Sequence, residues 1–94
     1  MSFAHCISVP SHTLMRELEG ECVILNLNSE CYFGLDEVGT RMWKVLTACE
    51  SIQTAYERLL DEYEVSPERL RHDFHQLIEK LIGHGLVEIC EHGG

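Results

Sequence analysis

Residues 21–43, ECVILNLNSECYFGLDEVGTRMW, leave the chain few ways to fold. Val23, Ile24, Leu25 and Leu27 are apolar on both faces of an extended segment, which predicts a central strand covered on each side. Asn28-Ser29 then reads as a two-residue hairpin loop, followed by a second strand at Cys31–Leu35. A tight loop sets Leu27 opposite Glu30, Leu25 opposite Tyr32, Ile24 opposite Phe33 and Cys22 opposite Leu35. One face then carries Ile24, Phe33 and Leu35, and the other Val23, Leu25 and Tyr32, so both call for cover. Asp36 is placed to cap a helix by accepting the orphan backbone N–H groups of its first turn, with Glu37 favoured there by the helix dipole.

The flanks supply the cover. Residues 13–19 predict a strand with Leu14 and Leu18 at even positions, closed by a Glu19-Gly20 turn. After Asp36, Val38, Met42, Val45, Leu46 and Cys49 recur at helical spacing. Gly39 inside that helix costs about 1 kcal/mol against Ala, which points to close approach of another backbone. Ser51 caps a second helix with the stripe Ile52, Ala55, Tyr56, Leu59, Leu60 and Tyr63. Ser66-Pro67-Glu68 starts a third, proline standing where its missing N–H does no harm. There Leu70, Phe74, Leu77, Ile78, Leu81 and Ile82 form a stripe too wide for one contact. Gly83 or Gly85 ends it, and residues 86–89 read as a short closing strand. Residues 1–11 read as a loose arm or first edge strand, and 90–94 as a tail. The outline is one α+β domain spanning the 94 residues.

Sixteen acidic against seven basic side chains give a net charge of −9. Nucleic-acid binding depends on basic patches that displace counterions from phosphates, so a nucleic-acid partner is not expected. A winged-helix DNA-binding protein is the alternative of a different class, but Arg69, Arg71 and Lys80 on the third helix are balanced by Glu68, Asp73 and Glu79. Five cysteines, an odd number without a Cys-x-x-Cys pair, fit reduced thiols in the cytoplasm. The N-terminus lacks signal-peptide character and no apolar run spans a membrane. His72 and His75 share a side of the third helix near Asp73, but no third and fourth metal ligand stands at recognisable spacing. No cysteine has a histidine that the sequence places beside it, so no nucleophile is assigned, and neither metal nor cofactor is expected. Gly93-Gly94 resembles a modifier terminus, yet three helices after a hairpin do not fit that fold.

Val23-Ile24-Leu25-Asn26-Leu27, the run Tyr32-Phe33-Gly34-Leu35-Asp36-Glu37-Val38-Gly39-Thr40 with Trp43 beyond it, Tyr63-Glu64-Val65-Ser66, Asp73 and Gly85-Leu86-Val87 together resemble the PqqD-like family. That family comprises peptide chaperones and leader-recognition domains for ribosomally made, modified peptides. The resemblance implies a three-stranded antiparallel sheet followed by a three-helix, winged helix-turn-helix-like unit. It also implies that a precursor's leader peptide adds as a strand to Cys31–Leu35 and lies in the groove beside Pro67–Gly83. The chain looks like the standalone recognition proteins of split lasso-peptide systems, which deliver the precursor to a separate leader protease. It departs from the quinone-cofactor chaperone at Asn28-Ser29, where that member has a proline-glutamate pair.

On this basis the peptide-binding residues are the edge Cys31, Tyr32, Phe33, Gly34 and Leu35, and Leu70, Asp73, Phe74 and Leu77 on the helix. Tyr32 and Phe33 point to opposite faces, so only one can line a given groove. Phe74 and Leu77, apolar at i, i+3, also fit a plain core reading, and Asp73 a solvated one. Cys31 is the thiol most open to reaction. No catalytic residue is nominated. A subunit-docking module without a peptide ligand is the remaining alternative.

Overall fold

The computed structural model describes residues 3–90. Eight elements follow in order: β1 (Cys6–Ser8), β2 (Thr13–Leu18), β3 (Glu21–Asn26), β4 (Cys31–Leu35), α1 (Glu37–Ala48), α2 (Ile52–Glu62), α3 (Pro67–Gly83) and β5 (Glu88–Cys90). The sheet β2-β3-β4 is antiparallel throughout, and β1 pairs with β5 in a separate two-stranded ribbon. This is the expected α+β arrangement of a three-stranded sheet followed by three helices.

Local signals explain the elements. Glu19 and Gly20 both adopt positive φ, at 55° and 85°, the turn that matches the twist of two antiparallel strands. Asp36, Ser51 and Ser66 cap the three helices, their side chains accepting from the N–H of Gly39, Thr54 and Arg69. Helix α3 ends in a Schellman motif at Gly85, φ 70°: Gly85 N–H donates to the Ile82 carbonyl and Leu86 N–H to that of Leu81. Gly83 lies inside the helix.

The hairpin register is as expected, with Leu25 opposite Tyr32, Ile24 opposite Phe33 and Cys22 opposite Leu35. The loop is longer than the two residues expected. The last pair is Asn26 with Cys31, and residues 27–30 turn without Leu27 pairing to Glu30. Leu27 N–H donates instead to the His12 carbonyl, and Glu30 takes φ 61°. Asn26 organises the turn: its Oδ1 accepts from the N–H of Asn28 and Ser29, and its Nδ2 donates to the Gly85 carbonyl at 3.1 Å. One buried amide thus fastens the β3–β4 hairpin to the end of α3.

Buried side chains form one cluster, with Ile24, Leu46, Ile52, Leu59, Phe74, Ile78, Leu81, Leu86 and Val87 almost wholly enclosed. The helices cover a single sheet face, that of Cys22, Ile24 and Leu35. The opposite face was expected to be covered and is not: Val23 is 38% exposed, Leu14 41% and Tyr32 70%. Strand β3 is central within its sheet but has cover on one side only.

The N-terminal arm is better held than its pattern suggested. Phe3 is buried edge-on against Tyr56 and Phe74, and Arg71 lies over its ring at 4.1 Å. The carbonyls of Phe3 and His5 accept from the N–H of Gln53 and Ile52, two orphan donors at the start of α2. Cys90 belongs to β5 rather than to a tail; Gly93-Gly94 lies outside the described residues. No helix of the described residues is long and apolar enough to cross a membrane.

Candidate functional site

Strand β4 borders only β3, so one of its edges has no strand beside it among the described residues. The Leu27-to-His12 bond fixes which groups that edge offers. In β3 the odd-numbered residues bond toward β2 and the even-numbered ones toward β4, because successive residues of a strand bond to opposite sides. Cys31, Phe33 and Leu35 therefore bond inward to β3. Tyr32 and Gly34 present their N–H and C=O outward. Neither makes a backbone bond to another element among the described residues.

Side chains alternate across the same strand. Cys31, Phe33 and Leu35 point to the helical side, and Tyr32 to the outer face, so Phe33 is the aromatic that lines a groove beside α3. Its ring meets the His84 imidazole edge-on at 5.2 Å, and His84 is held by its Nδ1 contact of 2.7 Å to the Lys80 carbonyl. Leu35 is 6% exposed and packs on Gly39, where an added Cβ would come within 3.2 Å of the leucine side chain. The helical glycine thus admits Leu35 and the Asp36 carboxylate, not another backbone. Thr40 Oγ1 donates to the Leu35 carbonyl at 3.4 Å, joining the end of β4 to α1.

Farther along, Val38, Met42, Tyr63, Val65, Arg69, Leu70 and Asp73 enclose a small cavity of about 130 Å³ between α1 and the start of α3. Its lip is apolar and open to solvent: Val38 is 47% exposed and Val65 44%. Val65 precedes the Ser66 cap and Leu70 is the fourth helical residue, the spacing of a hydrophobic staple.

Of the helix residues expected at the site, Leu70 lines this cavity from below, at 3% exposure, and Asp73 stands on its rim. Asp73 is 3.9 Å from Arg69 in an exposed and therefore weak ion pair, so its carboxylate is open to exchange for another donor. Leu77 is half-buried against the core. Phe74 is wholly enclosed, so it supports the groove floor and offers no surface for contact. Sequence reasoning missed Val38, Met42, Tyr63, Val65, Arg69 and His84. The staple around Ser66 was the signal available for Val65.

Polar chemistry is sparse. Among the described residues no group of three or more His, Cys, Asp or Glu side chains is arranged to hold a metal; His75 pairs with Glu79 at 3.1 Å. All five cysteines are free: Cys31 is exposed, Cys22 buried, and the others lie between. Partial burial and the neighbouring Cys90 thiol push the Cys6 thiol above its ordinary range.

The family model described as coenzyme PQQ synthesis protein D (PqqD) matches residues 21–87, from the start of β3 through α3 to the threshold of β5. The chain belongs to the PqqD family. Among solved structures it is similar to TbiB1 in complex with the TbiA(beta) leader peptide, at 26% identity and a TM-score of 0.78, over 85% of this chain and 93% of that one. It shares its fold with a lasso peptide synthetase B1 complexed with the leader peptide, at 20% identity and a TM-score of 0.77, over 87% of this chain and 96% of the other. No curated protein matches the chain. The matched family segment contains β3, β4 and all three helices, and hence every residue of the groove.

Proposed function

We propose that this chain binds, without catalysing a reaction, the leader segment of a ribosomally made precursor peptide, which adds as a fourth strand beside β4. It then delivers that peptide to a separate maturation enzyme such as a leader protease. The observation that carries the reading is the outward N–H and C=O of Tyr32 and Gly34 on a strand that leads through Asp36 into α1, whose Val38 and Met42 line an apolar cavity. An unpaired edge is a template for an extended peptide, and neighbouring pockets select among peptides. Membership of the PqqD family and the similarity to TbiB1, described in complex with a leader peptide, support the same reading.

Magnitudes divide the work between backbone and groove. Ordering a peptide costs about 1–2 kcal/mol per residue, and each new ladder bond returns about 0.5–1.5 kcal/mol net. The ladder therefore roughly cancels its own ordering cost. Affinity comes from apolar anchors, each contributing about 1.5–3 kcal/mol on burial, and the lip formed by Val38 and Val65 is the exposed place to bury them. The DNA-binding alternative loses support because Arg71 lies over Phe3 and Arg69 beside Asp73.

Fluorescence anisotropy with a labelled synthetic leader from the precursor gene neighbouring this one tests the proposal. Submicromolar binding that survives moderate salt is expected. Binding of a scrambled leader with equal affinity contradicts the proposal.

A further inference from the structure

The β1–β5 ribbon brings two thiols together. Cys6 is the Cα partner of Cys90, and the Cys6 thiol donates to the Cys90 carbonyl at 3.3 Å. Residues opposed in an antiparallel pair lie about 4.5 or 5.5 Å apart at Cα, within the roughly 4.4–6.8 Å that a disulfide spans. Their Cβ atoms start about 4.5–5.5 Å apart and must close to about 3.5–4.5 Å. The pair is the last of its ladder, so the ladder restrains this small approach from one side only. The other cysteines in strands have no such neighbour: Cys22 lies opposite Glu17 and Leu35, and Cys31 opposite Asn26.

What the ribbon holds gives the pair its weight. Each strand has three residues, and an isolated two-stranded pair is marginal in water. Yet β1 continues the arm whose Phe3 lies against Tyr56 and Phe74 and whose Phe3 and His5 carbonyls accept from Gln53 and Ile52. On the other side, β5 follows Leu86 and Val87, both buried in the core. A covalent bond between Cys6 and Cys90 closes a loop that contains the three-stranded sheet and all three helices. Cross-links around long loops restrict the unfolded chain most.

We infer that Cys6 and Cys90 form a reversible disulfide that straps the N-terminal arm to β5, with glutathione disulfide as the oxidant. One cysteine thiolate attacks a sulfur of the oxidant and releases glutathione; the second cysteine then displaces the other glutathione from the mixed disulfide. One S–S bond forms and one breaks. The two cysteines give up two electrons, and their two protons end on the two glutathione thiols. Partial burial and the neighbouring Cys90 thiol hold the Cys6 thiol above its ordinary range, so little of it is thiolate at neutral pH. The strap therefore closes slowly there and faster as pH rises, which suits sustained oxidation rather than brief pulses.

The test is incubation of the reduced, intact chain with glutathione disulfide, followed by non-reducing peptide mapping by mass spectrometry. A link between the Cys6 and Cys90 peptides, lost on reduction with dithiothreitol, is expected. The linked chain should melt about 8 °C or more above the reduced one. Amide exchange at Ile52 and Gln53, which reports release of the arm, should slow about tenfold or more. Cys6→Ser, and Cys6→Val as a variant that keeps the ribbon apolar, should show neither the link nor the rise, whereas Cys31→Ser should show both. Mixed glutathione adducts that persist on Cys6 or Cys90, a link through Cys22, Cys31 or Cys49 instead, or a linked chain with an unchanged melting temperature overturns the inference. None of these readouts involves a peptide, so the outcome is independent of the function proposed above.

Discussion

Among the described residues the sheet has two open edges, β2 and β4, and they are not equivalent. Strand β2 carries Arg16 and Glu17 within six residues, Glu17 being bound to Lys44 at 2.6 Å. Charged side chains on an edge oppose pairing with another strand. Its first residue is also occupied: Thr13 N–H donates to the Pro10 carbonyl, and its hydroxyl to that of Leu86. Strand β4, Cys-Tyr-Phe-Gly-Leu, has no charge at all and leads directly into α1, whose Val38 and Met42 line the apolar cavity. An available edge becomes a peptide site when an apolar groove accompanies it and when no charged guard stands on it; only β4 meets both conditions.

The largest effect should come from the group that fixes β4 in place. Asn26→Ala removes an acceptor for two loop N–H groups and the donor to Gly85, so a loss of about 2–4 kcal/mol in urea unfolding is expected. Thr13→Val, which frees one carbonyl at the β2 end, should cost about 1 kcal/mol. Equal losses would mean that the two edges are anchored alike.

Next in size are the anchors. Val38→Asp and Val65→Asp alter exposed residues and should leave stability within about 0.5 kcal/mol. Each should weaken leader binding by about 1.5–3 kcal/mol, tenfold or more in dissociation constant by anisotropy. A smaller loss at both would move the binding energy away from this groove.

Proline distinguishes the edges directly. Tyr32→Pro removes an outward N–H without breaking a bond to β3, the setting in which an edge strand tolerates proline. Leader affinity should fall by about 1 kcal/mol, roughly fivefold, with the thermal midpoint little changed. Glu17→Pro on the other edge should leave affinity as it was.

The smallest effect lies remote from either edge. Arg41 and Glu62 form a two-pronged pair between α1 and α2, Nε to Oε2 at 2.8 Å. Hydrogen bonding to Arg41 lowers the Glu62 pKa below its ordinary 4.5. A lowered folded-state value means that the contribution is present above pH 4.5 and fades as pH falls through the folded value. The stability difference between wild type and Glu62→Gln should therefore shrink on acidification in urea titrations at pH 7 and pH 3. Leader affinity at pH 7 should be the same for both.

Much of this was legible in the sequence because it is local. Three caps, the Glu19-Gly20 turn and the β3–β4 register each depend on a few adjacent residues. The register survives the misjudged loop because extending a hairpin loop by one residue at each end leaves every opposed pair unchanged. Cover is a tertiary property, and there the reading of β3 failed: Val23 and Leu25 alternate with core residues whether or not anything lies over them. The β1–β5 ribbon joins residues 84 apart through three-residue strands, too short for a pattern. At the site, the edge was readable from strand order, and Phe33 from its parity with Ile24. Phe74 was ambiguous because a helical stripe does not say which of its members lie beneath a groove and which line it. Val38 and Met42 belonged to an apparent core stripe; only packing revealed that the first of them stands at an open lip.

Amide hydrogen exchange with and without the leader peptide addresses the added strand most directly. Protection of the Tyr32 and Gly34 amides on binding, with Met15 and Glu17 on the opposite edge unchanged, is the expected result. Protection at Met15 and Glu17, or no change at Tyr32 and Gly34 under saturating peptide, would contradict it.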